Sequence, residues 1–184
     1  LLDLFGKKVG LPIATLLGGF RWNLPAYAST LSGDANGGLS EPAAYADFAQ
    51  QCRDIGYRGF KMHCWSHGDP KAEIATIAAV AKAVGGDMDL MTDPASHIRT
   101  YGDALRVGRA CDDHGYFWLE DPLADCGHAP HVHKMLRQRI KTPLLLTEHV
   151  RGLEAKTPWI TEEATDFLRA DPEYDLGITG VMKT

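Results

Sequence analysis

The sequence predicts an α/β protein built on a parallel sheet. Three observations carry this: short apolar runs alternate with amphipathic stretches, the alternation recurs about every 25 to 30 residues, and three of the runs end on a carboxylate. Leu24 to Ser29, Tyr57 to Trp65, Met88 to Thr92, Tyr116 to Glu120, Leu144 to Thr147 and Phe167 to Ala170 read as strands. Each is near-continuously apolar, as a strand covered on both faces must be. Tyr45, Phe48, Ala49, Cys52 and Ile55 share one helical face, and Ser40, Glu41 and Pro42 supply its start. Ile74, Ile77, Ala78, Ala81 and Val84 define the next helix, and Leu105, Gly108, Ala110 and Cys111 a third. Gly56, Gly85-Gly86 and Gly115 stand where left-handed C-caps are expected. Strand, helix, strand in repetition gives right-handed parallel units, which fit a (β/α) barrel and a doubly wound sheet alike.

Composition narrows the function classes. The chain has 184 residues, 45% apolar and 23% charged, with 24 acidic against 19 basic side chains. It is neither disordered nor a small stapled scaffold, and a mildly acidic balance speaks against nucleic acid or an anionic membrane as partner. No run approaches the ~20 apolar residues of a membrane span, and a cytoplasmic location is expected. Cys52, Cys64, Cys111 and Cys126 form no CxxC pair and are expected to be reduced, mostly buried thiols. A chain that opens on Leu1 and stops at Thr184 in mid-pattern is expected to be a piece of a longer protein.

The chemistry lies at the strand ends. Asp93, Glu120 and Glu148 each close a strand and are spaced 27 and 28 residues apart, one strand-plus-helix unit each. In a barrel, the C-terminal ends of neighbouring strands meet on one rim, where three such carboxylates converge. Three hard oxygen donors suit Mg²⁺ better than zinc, which favours His and Cys. The ordinary alternative, a helix-capping acid at each position, accounts for one carboxylate more easily than for three in register. On the strand Phe60-Lys61-Met62-His63, alternation sets Lys61 and His63 on one face and the apolar residues on the other. A buried ammonium on that face is costly unless it is paired or used.

These residues resemble the mandelate racemase subgroup of the enolase superfamily. Asp3-Leu4-Phe5-Gly6-Lys7, Gly10-Leu11-Pro12 and Leu16-Leu17-Gly18-Gly19 are similar to the end of that family's capping domain and its crossing into the barrel. Gly59-Phe60-Lys61-Met62-His63 is similar to its second strand, Leu90-Met91-Thr92-Asp93 to the third and Trp118-Leu119-Glu120-Asp121-Pro122-Leu123 to the fourth. Thr147-Glu148-His149 is similar to the fifth, and Arg169-Ala170-Asp171-Pro172 with Gly177-Ile178-Thr179-Gly180 to the sixth and the following helix start.

The resemblance implies a TIM-like (β/α)₇β barrel, incomplete at about six strands. Residues 1–22 would be the end of an α+β capping domain and residues 23–184 a partial catalytic barrel. It makes Asp93, Glu120 and Glu148 the Mg²⁺ ligands, puts Lys61 and His63 on the proton-transfer strand, and makes Asp171 the acid that orients a histidine of the seventh strand. Two positions depart from the family pattern: Lys-x-His stands for Lys-x-Lys on the second strand, and Ala95 stands where Asn is frequent. The implied activity is abstraction of the proton α to a carboxylate. Dehydration of a sugar acid, an aldonate or aldarate, to a 2-keto-3-deoxy acid is the expected outcome; racemisation or epimerisation of a 2-hydroxy acid uses the same parts, and an inactive fragment is the non-enzymatic alternative. A homo-oligomer is expected of the full-length protein. Trp65, His97, Arg99 and His149 are candidate substrate contacts on the rim. His128, His131 and His133 are expected on an exposed helix rather than on a metal. A nucleotide-binding doubly wound domain would need a Gly-rich loop of G-x-G-x-x-G or G-x-x-x-x-G-K spacing after its first strand, and that spacing is not present.

Overall fold

The computed structural model describes residues 1–31, 37–63, 67–124 and 129–184. Six strands, β1 (Ala28–Ser29), β2 (Gly59–Met62), β3 (Asp89–Thr92), β4 (Trp118–Glu120), β5 (Leu144–Leu146) and β6 (Phe167–Leu168), form one sheet in the order β1-β2-β3-β4-β5-β6. Every neighbouring pair is parallel. Strictly sequential order decides between the two architectures left open above. A doubly wound sheet reverses its order at a switch point, whereas this sheet advances in one direction as a barrel wall does.

Helices α1 (Leu2–Val9) and α2 (Ile13–Leu16) precede the sheet. Between strands lie α3 (Pro42–Ile55), α4 (Pro70–Val84), α5 (Tyr101–His114), α6 (Pro130–Arg137) and α7 (Leu153–Thr161), and α8 (Ile178–Val181) follows β6. Local chemistry sets their ends. Pro42 and Pro70 sit in the first turns of α3 and α4, where a missing N–H costs nothing. Asp69 accepts a capping bond from the Lys71 amide at 2.9 Å, and Thr100 caps α5 through the Asp103 amide at 3.1 Å. Gly56 (φ 113°) and Gly115 (φ 66°) close α3 and α5 in the left-handed region. Gly85 does not: at φ −64° it continues the right-handed helix, and its amide simply bonds back to the Ala81 carbonyl.

Phe60, Met62, Leu90, Leu119, Leu144 and Leu146 point outward from the strands and, with Tyr45, Ala49, Ile77, Val80, Ala104 and Val107 of the helices, form the buried core. Full burial of such a side chain is worth roughly 1.5–3 kcal/mol each. Some expectations change on this face. Ile55, the last residue of α3, is 77% exposed. The buried face of α4 includes Glu73 and Thr76, with Thr76 donating to the Ala72 carbonyl at 2.9 Å. The helix at His131 and His133 is only partly exposed: His133 is buried, holds the Ala129 carbonyl through Nδ1 and lies 5.0 Å from the Trp159 ring. Cys52 and Cys111 are free and buried, while Cys64, Cys126 and His128 lie outside the described residues.

The inward face is built differently. The register pairs Lys61 with Met91, Met91 with Trp118, Glu120 with Leu145 and Leu145 with Phe167, so these side chains share the concave side. Tyr27 stands edge-on to Trp118 at 5.7 Å, and Trp118 to Phe167 at 6.4 Å. Among the described residues no helix is long and apolar enough to cross a membrane.

Candidate metal centre at the strand ends

Asp93, Glu120 and Glu148 converge: one oxygen of each lies within 4.8 Å of the others. Asp93 and Glu120 arrive by simple alternation, two residues beyond the inward-facing Met91 and Trp118. Glu148 does not, because alternation from Leu145 would turn it to the outer face. Thr147 takes φ 87°, a conformation a β-branched residue rarely adopts, and the break in the strand brings Glu148 round to the rim. Thr147 is held there by its hydroxyl bond to the Arg169 carbonyl (3.1 Å), and its amide bonds Asp121 Oδ1 (3.2 Å).

Lys61 and His63 face these carboxylates. Lys61 Nζ donates to Asp93 Oδ2 at 3.0 Å and to Glu120 Oε2 at 2.8 Å, with all three side chains at most 4% exposed. Burial opposes its charge, but the two carboxylates outweigh burial and hold Lys61 above its ordinary value. His63 Nε2 lies 2.8 Å from Asp93 Oδ2, and Nδ1 lies 2.7 Å from the Thr30 carbonyl oxygen. Both neighbours are hydrogen-bond acceptors, an arrangement that favours the doubly protonated ring. Its pKa is accordingly raised: burial lowers it, and the bond and charge of Asp93 more than compensate. Asp93 is lowered, burial being outweighed by His63 and Lys61. Glu120 is raised by burial and by the charge of Asp93, against Lys61 and Arg169.

Neither spacing nor resemblance gives a role to two further residues of the site. Arg169, inward-facing two residues after Phe167, contacts Glu120 Oε1 at 2.5 Å through Nη1 and Glu148 Oε1 at 3.4 Å through Nη2. Asp121 is buried and accepts from the amides of Thr147 and Glu148. Burial, followed by the charges of Asp93 and Glu120, pushes its pKa to about 8. The adjacent acid pair Glu120-Asp121 and the spacing of Arg169 from Asp171 were the available signals.

Of the other candidates, only His149 lies beside the trio among the described residues. Asp171 sits just beyond β6 with Oδ1 accepting the Glu173 amide at 2.7 Å, a local turn, and it does not touch the three carboxylates. His149 is exposed, packs edge-on to Tyr174 at 5.7 Å, and groups with Asp121 and Glu148. His97 is half-buried and Arg99 exposed on the loop after β3, and neither bonds the three carboxylates. Trp65 lies outside the described residues.

The arrangement fits a hard divalent cation: three clustered carboxylates, two of them nearly inaccessible to solvent, supply oxygen donors and no sulfur. A sequential parallel barrel wall carrying an acid trio opposite a lysine and a histidine defines the class of protein. A family model described as "Enolase C-terminal domain-like" matches residues 44–184, and the chain belongs to that family, within the enolase superfamily. It is 28% identical to L-talarate/galactarate dehydratase of Salmonella typhimurium over 100% of this chain and 44% of that protein. It is 28% identical to muconate cycloisomerase 1 of Pseudomonas putida over 100% of this chain and 47% of that protein. Among solved structures, a mandelate racemase/muconate lactonizing family protein from Azoarcus sp. superposes with a TM-score of 0.84 at 29% identity, covering 99% of this chain and 46% of that one. The chain thus spans a little under half the length of these relatives.

Proposed function

We propose that this chain carries the metal-binding part of an enzyme that removes the proton α to a carboxylate, and that it dehydrates a sugar acid to a 2-keto-3-deoxy acid. The observation that carries the reading is the placement of Lys61 and His63 directly against the Asp93, Glu120 and Glu148 cluster. A divalent ion, Mg²⁺ on this reading, supplies charge stabilisation where negative charge develops on the substrate carboxylate. The protein's own residues do the rest. Asp93, Glu120 and Glu148 hold the ion. Lys61 and His63, both bonded to Asp93, are the groups that would exchange the substrate proton on this face. The Thr30 carbonyl fixes the His63 ring through Nδ1, so Nε2 is the nitrogen that exchanges the proton. Asp171 keeps the role the resemblance implies, orienting a histidine on the opposite face. Residues 1–22 form the end of a separate capping domain, and a cytoplasmic homo-oligomer is the proposed setting. The relatives include both a dehydratase and a cycloisomerase, and abstraction of the α-proton is the step we assign in common.

The protein carrying this sequence, incubated with Mg²⁺ and a library of aldonic and aldaric acids, is expected to yield a 2-keto-3-deoxy product. Glu120→Gln is expected to abolish the product and weaken Mg²⁺ binding, because an amide is a neutral and poorer donor to a hard cation. Inverted acid without keto product would assign racemisation instead, and an active Glu120→Gln enzyme with unchanged Mg²⁺ affinity would defeat the site.

A further inference from the structure

Thr30 and His63 stand one residue beyond the ends of β1 and β2, at the point where the ladder between these strands breaks. The ladder pairs Ala28 with Phe60 and Ser29 with Lys61, and the Thr30 amide continues it by donating to the Lys61 carbonyl at 3.1 Å. In a regular parallel ladder the next bond runs from the His63 amide to the Thr30 carbonyl. Here the partners are exchanged. The His63 amide donates to the Thr30 hydroxyl at 2.9 Å, and the Thr30 carbonyl takes the His63 ring instead, 2.7 Å from Nδ1. The hydroxyl in turn donates to the His63 carbonyl at 3.3 Å, which also accepts from the Tyr45 hydroxyl of α3 at 3.2 Å. Thr30 is 4% exposed and Tyr45 fully buried, and these bonds lie on the side where β1 is already paired with β2. The other ring nitrogen, Nε2, is thereby aimed at Asp93 Oδ2, 2.8 Å away. Thr30 bonds His63 and Lys61, not the three carboxylates.

We infer that the Thr30 hydroxyl is a positioning group for the proton-transfer face: by taking the His63 amide in place of the ladder bond, it leaves the Thr30 carbonyl to the imidazole and so fixes the ring with Nε2 toward Asp93 and the substrate. The inference rests on the reading in which His63 exchanges the substrate proton. A lysine in this position, as in Lys-x-Lys, has no use for such a clamp, because an ammonium carries three equivalent donors on a rotating head. An imidazole has two distinct nitrogens, and the bond made by one decides what the other presents. Thr30→Val keeps the shape of the side chain and removes the hydroxyl. The His63 amide then falls back on its ordinary ladder partner, so no buried donor is orphaned, but amide and ring now compete for one carbonyl.

Histidine-ring ¹⁵N–¹H spectra, with the His63 signal assigned by its absence in His63→Asn, read the clamp without metal or substrate. The parent is expected to show an Nδ1–H protected from exchange with water. Thr30→Val is expected to speed that exchange by about an order of magnitude, the effect of one hydrogen bond, and Thr30→Ala to do the same with no methyl to pack. Thr30→Ser restores the hydroxyl and is expected to restore the protection. With Mn²⁺ and the aldonic and aldaric acid library in D₂O, Thr30→Val is expected to slow exchange of the substrate α-proton roughly tenfold, with Mn²⁺ affinity unchanged and Thr30→Ser close to the parent. A ring signal that Thr30→Val and Thr30→Ala leave unaltered, a Thr30→Ser that fails as Thr30→Val does, or a Mn²⁺ affinity that falls in step with α-proton exchange overturns the inference. Failure of the underlying reading looks different: a parent that exchanges no α-proton, or a His63→Asn that keeps full exchange, shows that His63 moves no proton, and the clamp then positions nothing for catalysis even where its ring signal is as expected.

Discussion

Lys61 and Lys156 are both buried, at 3% and 1% exposure, and the protein treats them in opposite ways. Lys61 on β2 is over-provided: its two carboxylates are each backed by a second cation, His63 on Asp93 and Arg169 on Glu120. Lys156 on α7 has one carboxylate, Asp175, and one carbonyl, that of Arg169. Among the described residues no second cation stands behind Asp175, and its Oδ1 is buried without a partner. Shared, redundant pairing suits a site whose protons and ions must move, since no single departure leaves a charge bare. Exclusive pairing suits a structural joint, where removal of either partner strands the other in a low dielectric.

The largest expected effect tests that contrast directly. Lys156→Met should cost about 3–5 kcal/mol in urea unfolding, the usual cost of stranding one buried charge, and Lys156→Met with Asp175→Leu should recover most of it. Lys61→Met should cost less, about 1–3 kcal/mol, because His63 and Arg169 still face Asp93 and Glu120. A greater loss at Lys61 than at Lys156 would break the comparison.

A pH effect of intermediate size is expected at Asp121. Its pKa of about 8 in the folded chain lies above the ordinary carboxyl value near 3.9, so the folded state binds the extra proton. Stability from this group is present in full below about pH 4 and is lost as pH rises toward 8. Asp121→Asn, whose side-chain oxygen can still accept from the Thr147 or Glu148 amide, should match the parent at about pH 4 and exceed it increasingly up to about pH 9. Parallel stability curves would show that Asp121 is ionised throughout.

Smaller again is Gly108→Ala on α5. A Cβ there would lie 2.8 Å from Ile140 Cγ2, so the added methyl must push a packed side chain, at about 1–3 kcal/mol less whatever helix propensity returns. At the bottom of the scale, Lys7→Ala removes an ion pair with Asp3 whose partners are 72% and 62% exposed, and the unfolding midpoint should not move measurably.

Much of the site is legible in the amino-acid sequence. Asp93, Glu120 and Glu148 stand out by their spacing, and Lys61 and His63 by alternation on one short strand. Arg169 and Asp121 are in plain view there but carry no role, because what makes them matter is contact across 49 and 26 residues of chain, with Glu120 and Thr147 respectively. Glu148 reaches the rim against strand parity, by way of Thr147 in a backbone conformation that composition gives no reason to expect. His133 and Glu73 look like surface residues and are buried, since which side of a helix meets its neighbour depends on the packing of that neighbour.

The sequence by itself determined the repeating strand and helix units, the parallel pairing, the caps at Gly56 and Gly115, and the carriage of one acid to each of three successive strand ends. These follow from short-range rules, the periods of helix and strand and the geometry of caps, which act within a few residues. Only the tertiary structure decided that the sheet advances in sequence, that Arg169 bridges Glu120 and Glu148, that His63 lies between Asp93 and the Thr30 carbonyl, and that Lys156 and Asp175 find each other inside the protein. Those outcomes are set by distance and by exclusion of water, and the strength of an electrostatic contact changes severalfold between an exposed and a buried pair that look identical in sequence.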